Sequence, residues 1–413
     1  MSRRIVISGV GCISSLGSDA AEFWESLANG RSAIGVLSGI EGDIRISVGA
    51  QVRGLQPEAH FSKDDIPLLD RFSQFAVLAA REAIEDAGLS ANGSILASAA
   101  GIIGSGCGGK QTDEETYRKL YKERHGRAHP LTIPKGMPSA AASMVSKHIG
   151  IRGPVFSIAS ACASGAHAII QGAMMIRSGV VDVAVVGGTD APFTYGLLKS
   201  WEALRVVSND TCRPFSFNRS GMVLGEGAAI LVLESAEHAA SRGALCHAEL
   251  AGFGMTSDAG HITRPDRNGI AAAIRAAISD AGLEPDVISY INAHGTGTEA
   301  NDLVETEAIH EVFGTHAESI AVSATKSMHG HALGAASAME LVATVLAVQK
   351  KLIPPTVNFT SAGDGCDLDY VPNYARPEAI KIALSNSFAF GGLNAVIVIK
   401  ALSQRSLLAR FTE

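Results

Sequence analysis

An α/β fold built from one α/β unit used twice is what this sequence predicts, and three observations predict it. Apolar strand-like runs alternate with alanine-rich helical runs in both halves. The segment REAIEDAGL at residues 81–89 returns as RAAISDAGL at 275–283. A second pair, GGTDA at 187–191 and GGLNA at 391–395, follows in the same order.

Each observation has a physical reading. Alternating strand and helix runs imply largely buried parallel sheets with helices on their faces. The 81–89 and 275–283 segments read as ends of amphipathic helices stopped by glycine. A repeat at this spacing points to duplication, with residues 1–250 as the first half and 251–413 as the second. A new strand is expected to open at 248–253. The first half carries an extra stretch at 107–150. Within it, 111–127 reads as a solvated helix of mixed charge, followed by a loop punctuated by Pro130 and Pro134.

Composition narrows the function. Hydrophobic residues make up 46% of the 413 residues and charged residues 18%, which favours a large core and an apolar subunit interface. Aromatics are 5% and the net charge is −7, so the footprint of a nucleic-acid binder is absent. The six cysteines have no paired-ligand spacing, so a metal site is not expected and free thiols in a reducing, cytoplasmic setting are. The N-terminal run has no signal-peptide core, and no apolar run is read as long enough to span a membrane.

The reactive candidates all follow strand-like runs. Residues 154–159 (PVFSIA) lead into SACASG at 160–165 and then a helix, which puts Cys162 at a helix's positive end, where a thiolate is favoured. Its neighbours are small, so a bulky thioester has room to approach. VISYINA at 287–293 delivers His294, and SIAVS at 319–323 is followed by Lys326, His329 and His331. Ligands in such sheets bind beyond the carboxyl ends of strands, so the cysteine and the histidines are placed to converge. His329 reads as a neighbour outside the chemistry. GSGCGG at 104–109 formally fits a dinucleotide-binding glycine pattern, but a polar insertion follows it, and it reads better as a close-packed turn.

Together, SACASG, NAHGTGT at 292–298, TKSMHGHALGAAS at 325–337 and SFAFGGLN at 387–394 resemble the elongating β-ketoacyl-acyl carrier protein synthases of type II fatty acid synthesis. The resemblance keeps motif order over essentially the whole chain. The stretch 188–216 is most similar to the specialised nodulation-type members. The resemblance implies a thiolase-like fold in five layers, α-β-α-β-α. It implies that Cys162 takes an acyl chain as a thioester, that His294 and His331 polarise a malonyl thioester, and that Lys326 orients them, held by Asp302, Glu305 or Glu340. The N–H groups of Cys162 and Phe390 are the implied oxyanion hole, and Phe390 with Phe388 the implied gate. Thr296, Thr298, His261 and Thr263 are the implied contacts of the phosphopantetheine arm. No cofactor is implied beyond that arm, apart from a structural monovalent cation enclosed by Asn292, Glu340 and Ser387.

Departures from the family pattern carry expectations too. The gate loop has Ala389 and Leu393 where glycine and threonine are usual, which implies slower or altered gating. Cys107 stands where a larger residue often closes the bottom of the acyl tunnel, and Thr132 where a partner-subunit Phe often closes it, which implies long or polyunsaturated acyl chains. RPFSFNRSG at 213–221 lacks two usual aspartates, a subfamily mark. The implied partners are an acyl carrier protein, docked on Arg127, Arg205, Lys63 or Arg71, and a second subunit in a homodimer or heterodimer. The alternative is a non-catalytic chain-length-factor-type subunit, which would lack the reactive cysteine. A thiolase would need a late second cysteine, and SFAFGG has none.

Overall fold

The computed structural model describes residues 3–402, so the outermost residues of both expected halves lie outside the described residues. Ten strands form two sets. The first is β1 (Ile5–Ser14), β2 (Ala100–Gly104), β3 (Val155–Ile158), β4 (Val183–Asp190) and β5 (Gly227–Ser235). The second is β6 (Ala248–Ser257), β7 (Tyr290–Asn292), β8 (Ala321–Ser323), β9 (Ile382–Ala389) and β10 (Leu393–Ala401). Their spatial orders are β3-β2-β4-β5-β1 and β8-β7-β9-β10-β6, the same arrangement twice. An antiparallel contact of residues 5–7 with 248–250 joins the sets edge to edge.

The sheets are mixed rather than parallel. In each set one strand, β5 or β10, runs against its neighbours. The sequence hid this because β5 (GAAILVLES) is buried along its whole length and reads like any doubly covered parallel strand. Strands β7 and β8 are only three residues long, shorter than the apolar runs around them, and 285–287 form a 3-10 turn. Strand β3 is an edge strand, partly open to solvent, and not the buried strand expected.

Helices α1 (Arg71–Asp86) and α2 (Ala140–Ile149) cover the outer face of the first sheet. Helices α4 (Arg267–Asp280) and α5 (Glu299–Phe313) cover the outer face of the second. Between the sheets lie α3 (Ser164–Arg177) and α6 (Ala336–Lys350), in one apolar core. This is the five-layered α-β-α-β-α arrangement.

Glycine and alanine set the sheet–helix spacing. A Cβ at Gly11 would sit 2.1 Å from the Ala79 carbonyl oxygen, and one at Gly254 would sit 2.2 Å from that of Ala273. The same strand–helix contact is thus made twice. Both helices then end near a left-handed glycine, Gly88 and Gly282, each at φ 65°. The first sequence echo therefore marks equivalent places. The second does not. GGTDA falls at the end of β4, whereas GGLNA makes the turn beyond β9, its counterpart, and opens β10.

The segment Leu333–Lys350 corrects another expectation. It is 18 residues long, with mean hydropathy 1.2, enough by length and composition to cross a membrane. It is also 89% buried, because it feeds the central helix α6, which is covered by both sheets. In the extra stretch, the expected helix to residue 127 runs as Lys110–Tyr117 and a wide turn at Arg118–Lys122, then stops. Pro134 lies inside a short helix, Thr132–Gly136, at a position where a missing N–H costs little.

Candidate active site

Cys162 sits in a 3-10 turn, Ala161–Ala163, between β3 and α3. Ala161 has φ 50°, a left-handed conformation that is costly for alanine and that turns the next side chain sharply into the protein. The second half repeats the device. Leu333, at φ 51°, opens the turn Leu333–Ala335 before α6, so Gly334 is the counterpart of Cys162. ACAS at 161–164 and LGAA at 333–336 are too different in sequence to have signalled this twin.

One small cavity, about 90 Å³, brings the candidates together. Cys162, His294, His331, Thr296, Thr298, Thr263, Phe388 and Phe390 all line it. The backbone N–H groups of Cys162 and Phe390 favour the charged form of the Cys162 sulfur. Burial pushes the thiol up to about 12, and the opposing pull of Lys326 and of those N–H groups does not overcome it. The position before α3 therefore does not by itself hold Cys162 as a thiolate.

The imidazoles of His294 and His331 lie edge to face, centroids 5.6 Å apart. His331 Nδ1 accepts the Leu333 N–H at 3.1 Å, which puts the ring proton on Nε2. His294 Nδ1 lies 3.3 Å from Lys326 Nζ, which has only protons to offer, so His294 also carries its proton on Nε2. Two N–H donors thus face the cavity. Burial, then the Lys326 charge, drives both histidines well below the ordinary histidine range.

That shift sets an acid-side expectation. A group with a depressed pKa stays neutral until the pH falls through that lower value. Catalysis by two neutral donors should therefore persist unchanged through pH 6.5, near histidine's ordinary value, and decline only at lower pH. A pH profile of condensation with an acid limb at the ordinary histidine value would contradict the assignment.

Lys326 is fully buried. Its ammonium donates to the Glu340 carboxylate and to the His294 carbonyl at 2.6 Å. Of the three expected acids only Glu340 pairs with it. Glu305 accepts the N–H groups of His294 and Gly295, both at 2.9 Å, and fixes the loop backbone. Asp302 does the same for Phe215, at 2.7 Å, and for Gly297, at 3.2 Å. Burial raises all three carboxyls, Glu340 to about 7 and Asp302 to about 6. His329 is buried away from the cavity, against Phe23, with Nε2 3.0 Å from the Thr325 hydroxyl.

Other candidates fall less uniformly. Thr296 and Thr298 exchange a hydroxyl hydrogen bond of 2.9 Å, and Thr298 also caps α5. His261 is exposed and does not line the cavity; its Nδ1 accepts the Thr263 N–H. Arg264 and Asn301 line the cavity and were not anticipated. Cys107 packs in an apolar cluster with Phe390, Trp201 and Leu333. Thr132 lies elsewhere, in a separate cavity of about 210 Å³ with Arg127. Ala389 closes β9 in ordinary strand geometry, and Gly391 and Gly392 make the left-handed turn, so the alanine carries no strain. Arg127, Arg205 and Lys63 are exposed. Arg71 is not a free surface charge: its guanidinium is held by the buried Glu226 carboxylate and the Val52 carbonyl. Among the described residues no cluster of His, Cys, Asp and Glu could hold a metal, and all six cysteines are unbridged.

Comparisons with known proteins identify the family. Residues 2–239 match the β-ketoacyl synthase N-terminal domain, and residues 247–360 the C-terminal domain. Nodulation protein E of Rhizobium sp. (strain N33) is 49% identical over 97% of this chain and 100% of its own length. The 3-oxoacyl-[acyl-carrier-protein] synthase 2 of Staphylococcus aureus (strain N315) is 39% identical over 96% of this chain and 98% of its own. The solved ishigamide ketosynthase/chain length factor superposes with a TM-score of 0.92 at 35% identity, covering 98% of this chain and 100% of that one. With its duplicated thiolase-like fold, the chain belongs to the β-ketoacyl synthase family of acyltransferases.

Proposed function

We propose that this synthase extends an acyl chain held on Cys162 by decarboxylative condensation with a malonyl thioester, both delivered on the phosphopantetheine arm of an acyl carrier protein. The observation that carries the reading is the convergence of Cys162 and two Nε2–H imidazoles in one cavity, with Phe390 on the same wall. The cysteine sulfur attacks the acyl thioester, and the carrier thiol leaves with the proton. His294 and His331 then hydrogen-bond the malonyl thioester oxygen. Carbon dioxide departs and its electron pair becomes the enolate, which their N–H groups stabilise. The enolate carbon attacks the acyl carbonyl, whose oxyanion rests on the N–H groups of Cys162 and Phe390, and the Cys162 sulfur is expelled. Phe390 is the gate over this step and Thr296, Thr298 and Thr263 grip the arm. Lys326 with Glu340 is a positioning pair for His294.

Three buried oxygens without a partner, Asn292 Oδ1, Glu340 Oε2 and Ser387 Oγ, support a structural monovalent cation. An oxygen-only donor set suits a hard cation, and no chemical step needs it. The open edge of β3, with Phe156 38% exposed, supports pairing with a second subunit. The named relatives make both a second copy and a ketosynthase-like partner reasonable occupants. A cytoplasmic location fits the six free thiols.

The small Cys107 side chain, in the apolar cluster that also holds Phe390, favours long or polyunsaturated chains, made for a specialised lipid. The test is intact-mass spectrometry of the protein with carrier proteins bearing a series of acyl chains. Long chains should load Cys162, and Cys107→Ile should reduce loading of the longest by about 10-fold. Loading that stops at medium chains in both proteins overturns the long-chain reading. No adduct with any chain favours a non-catalytic partner subunit instead.

Carrier-protein docking has its own test. Acyl carrier proteins are acidic, and Arg205 is exposed at the end of the Tyr195–Leu204 helix. Arg205→Glu should raise the carrier-protein KM several-fold at low salt, with kcat unchanged and the effect fading as salt rises. An unchanged KM removes Arg205 from the surface.

A further inference from the structure

Asp190 ends β4, fully buried, and takes no part in the steps above. Its Oδ1 accepts the Ser105 hydroxyl at 2.7 Å and the Cys107 N–H at 3.0 Å. Its Oδ2 accepts the Gly106 N–H at 2.8 Å and the Gly334 N–H at 2.6 Å. One carboxylate thereby joins two turns. The first leaves β2 and carries Cys107 into the apolar cluster that also holds Phe390. The second follows His331 and contains Leu333, whose N–H fixes the His331 ring. The turns have no room to slide: a Cβ at Gly334 would lie 2.5 Å from the Gly106 nitrogen and 2.7 Å from Asp190 Oδ2.

We propose that Asp190 is a positioning residue that ties the wall of the acyl chamber to the His331 turn, so that the chain on Cys162 and the imidazole that polarises the malonyl group stay in register. The assignment rests on the condensing-enzyme reading and goes beyond it. A carboxylate is required because three of the four donors are backbone N–H groups, which cannot accept. Asparagine offers one oxygen and one NH₂. Whichever way it turns, an N–H of one turn is left facing another N–H. A residue that only supported the fold would affect both half-reactions alike. A register pin affects condensation, which needs His331, more than acyl transfer, which needs Cys162 and its two N–H groups.

The experiment compares wild type, Asp190→Asn and Ser105→Ala in the full chain. Asp190→Asn should load Cys162 at the wild-type level, while condensation falls on the order of 100-fold. Ser105→Ala leaves the Gly334 contact in place, so it should shift the preferred acyl length without lowering condensation of the best chain. Equal losses in both half-reactions of Asp190→Asn, or wild-type rates in both, overturn the proposal. A second readout needs no substrate. The nitrogen-15 ring signals of His331, assigned with His331→Ala, should move in Asp190→Asn and stay in Ser105→Ala. Unmoved signals in Asp190→Asn overturn the proposal. A wild-type protein that takes up no acyl chain would defeat the condensing-enzyme reading alone, and the His331 signals would still decide the role of Asp190.

Discussion

Replacing Cys162 with alanine should remove the acyl adduct entirely and lower condensation by on the order of 10⁴–10⁶-fold, the scale seen when a nucleophile is deleted from a unit that acts together. The fold should tolerate the change. Cys162 is small, its neighbours in the turn are alanines, and the strained residue is Ala161, which stays. The variant should therefore keep the wild-type unfolding temperature to within a few degrees. Mass spectrometry and a condensation assay on the same sample check both halves of the expectation. An adduct that persists in Cys162→Ala would place the nucleophile elsewhere. The other five thiols are poor substitutes, since none of them lines the cavity with the two histidines.

Lys326→Ala should show the largest loss of stability. Lys326 and Glu340 are sealed from solvent together, at 0% and 1% side-chain exposure. Removing one member of such a pair leaves the other as an uncompensated buried charge, a loss of about 3–5 kcal/mol. Glu340 answers by taking up a proton, and its carboxyl already titrates at about 7 because of burial. The sign follows from that. Without the ammonium that holds it down, the Glu340 carboxyl is raised further, so the variant weakens as the pH rises and part of the loss returns as the pH falls. Thermal unfolding of Lys326→Ala at pH 6 and pH 8 should show the larger deficit at pH 8. Lys326→Met with Glu340→Gln should recover most of the stability and none of the condensation rate, because His294 Nδ1 then has no ammonium beside it. Recovered activity in the double variant would make the pair structural only.

How much was readable in advance depended on whether a residue's partners were near it in sequence. Cys162, His294, Lys326 and His331, which the structure brings together, could be picked out as candidates because each follows an apolar run and sits among Gly, Ala, Ser or Thr. The glycine-stopped helices at 81–89 and 275–283 disclosed the duplication for the same local reason. Arg71 was misread because its partner, Glu226, is 155 residues away, and an arginine at a helix start otherwise resembles a surface charge. Asp190 went unnoticed because three of its four partners are backbone N–H groups, which leave no mark in side-chain identity. The reversed direction of β5 was invisible because burial on both faces erases the alternation that usually separates antiparallel from parallel strands. The choice of Glu340 over Asp302 and Glu305 was three-dimensional. All three are buried acids, and only the central helix brings its carboxylate to the lysine.

The twin turns explain why a protein with two matching halves has one reaction chamber. Cys162 and Gly334 occupy corresponding places, each after a residue held near φ 50°. The space beyond them is not shared equally. At Gly334 even a methyl group would collide with the Gly106 nitrogen at 2.5 Å. On the proposed mechanism the second half therefore lends its loop, histidines and lysine to a nucleophile in the first, and has no room for one of its own. Symmetry of the backbone would then be traded for division of labour, with one copy holding the electrophile and the other making the carbanion. Any attempt to engineer a second cysteine at the twin position would have to widen that contact first, and in doing so would loosen the turn that aims His331.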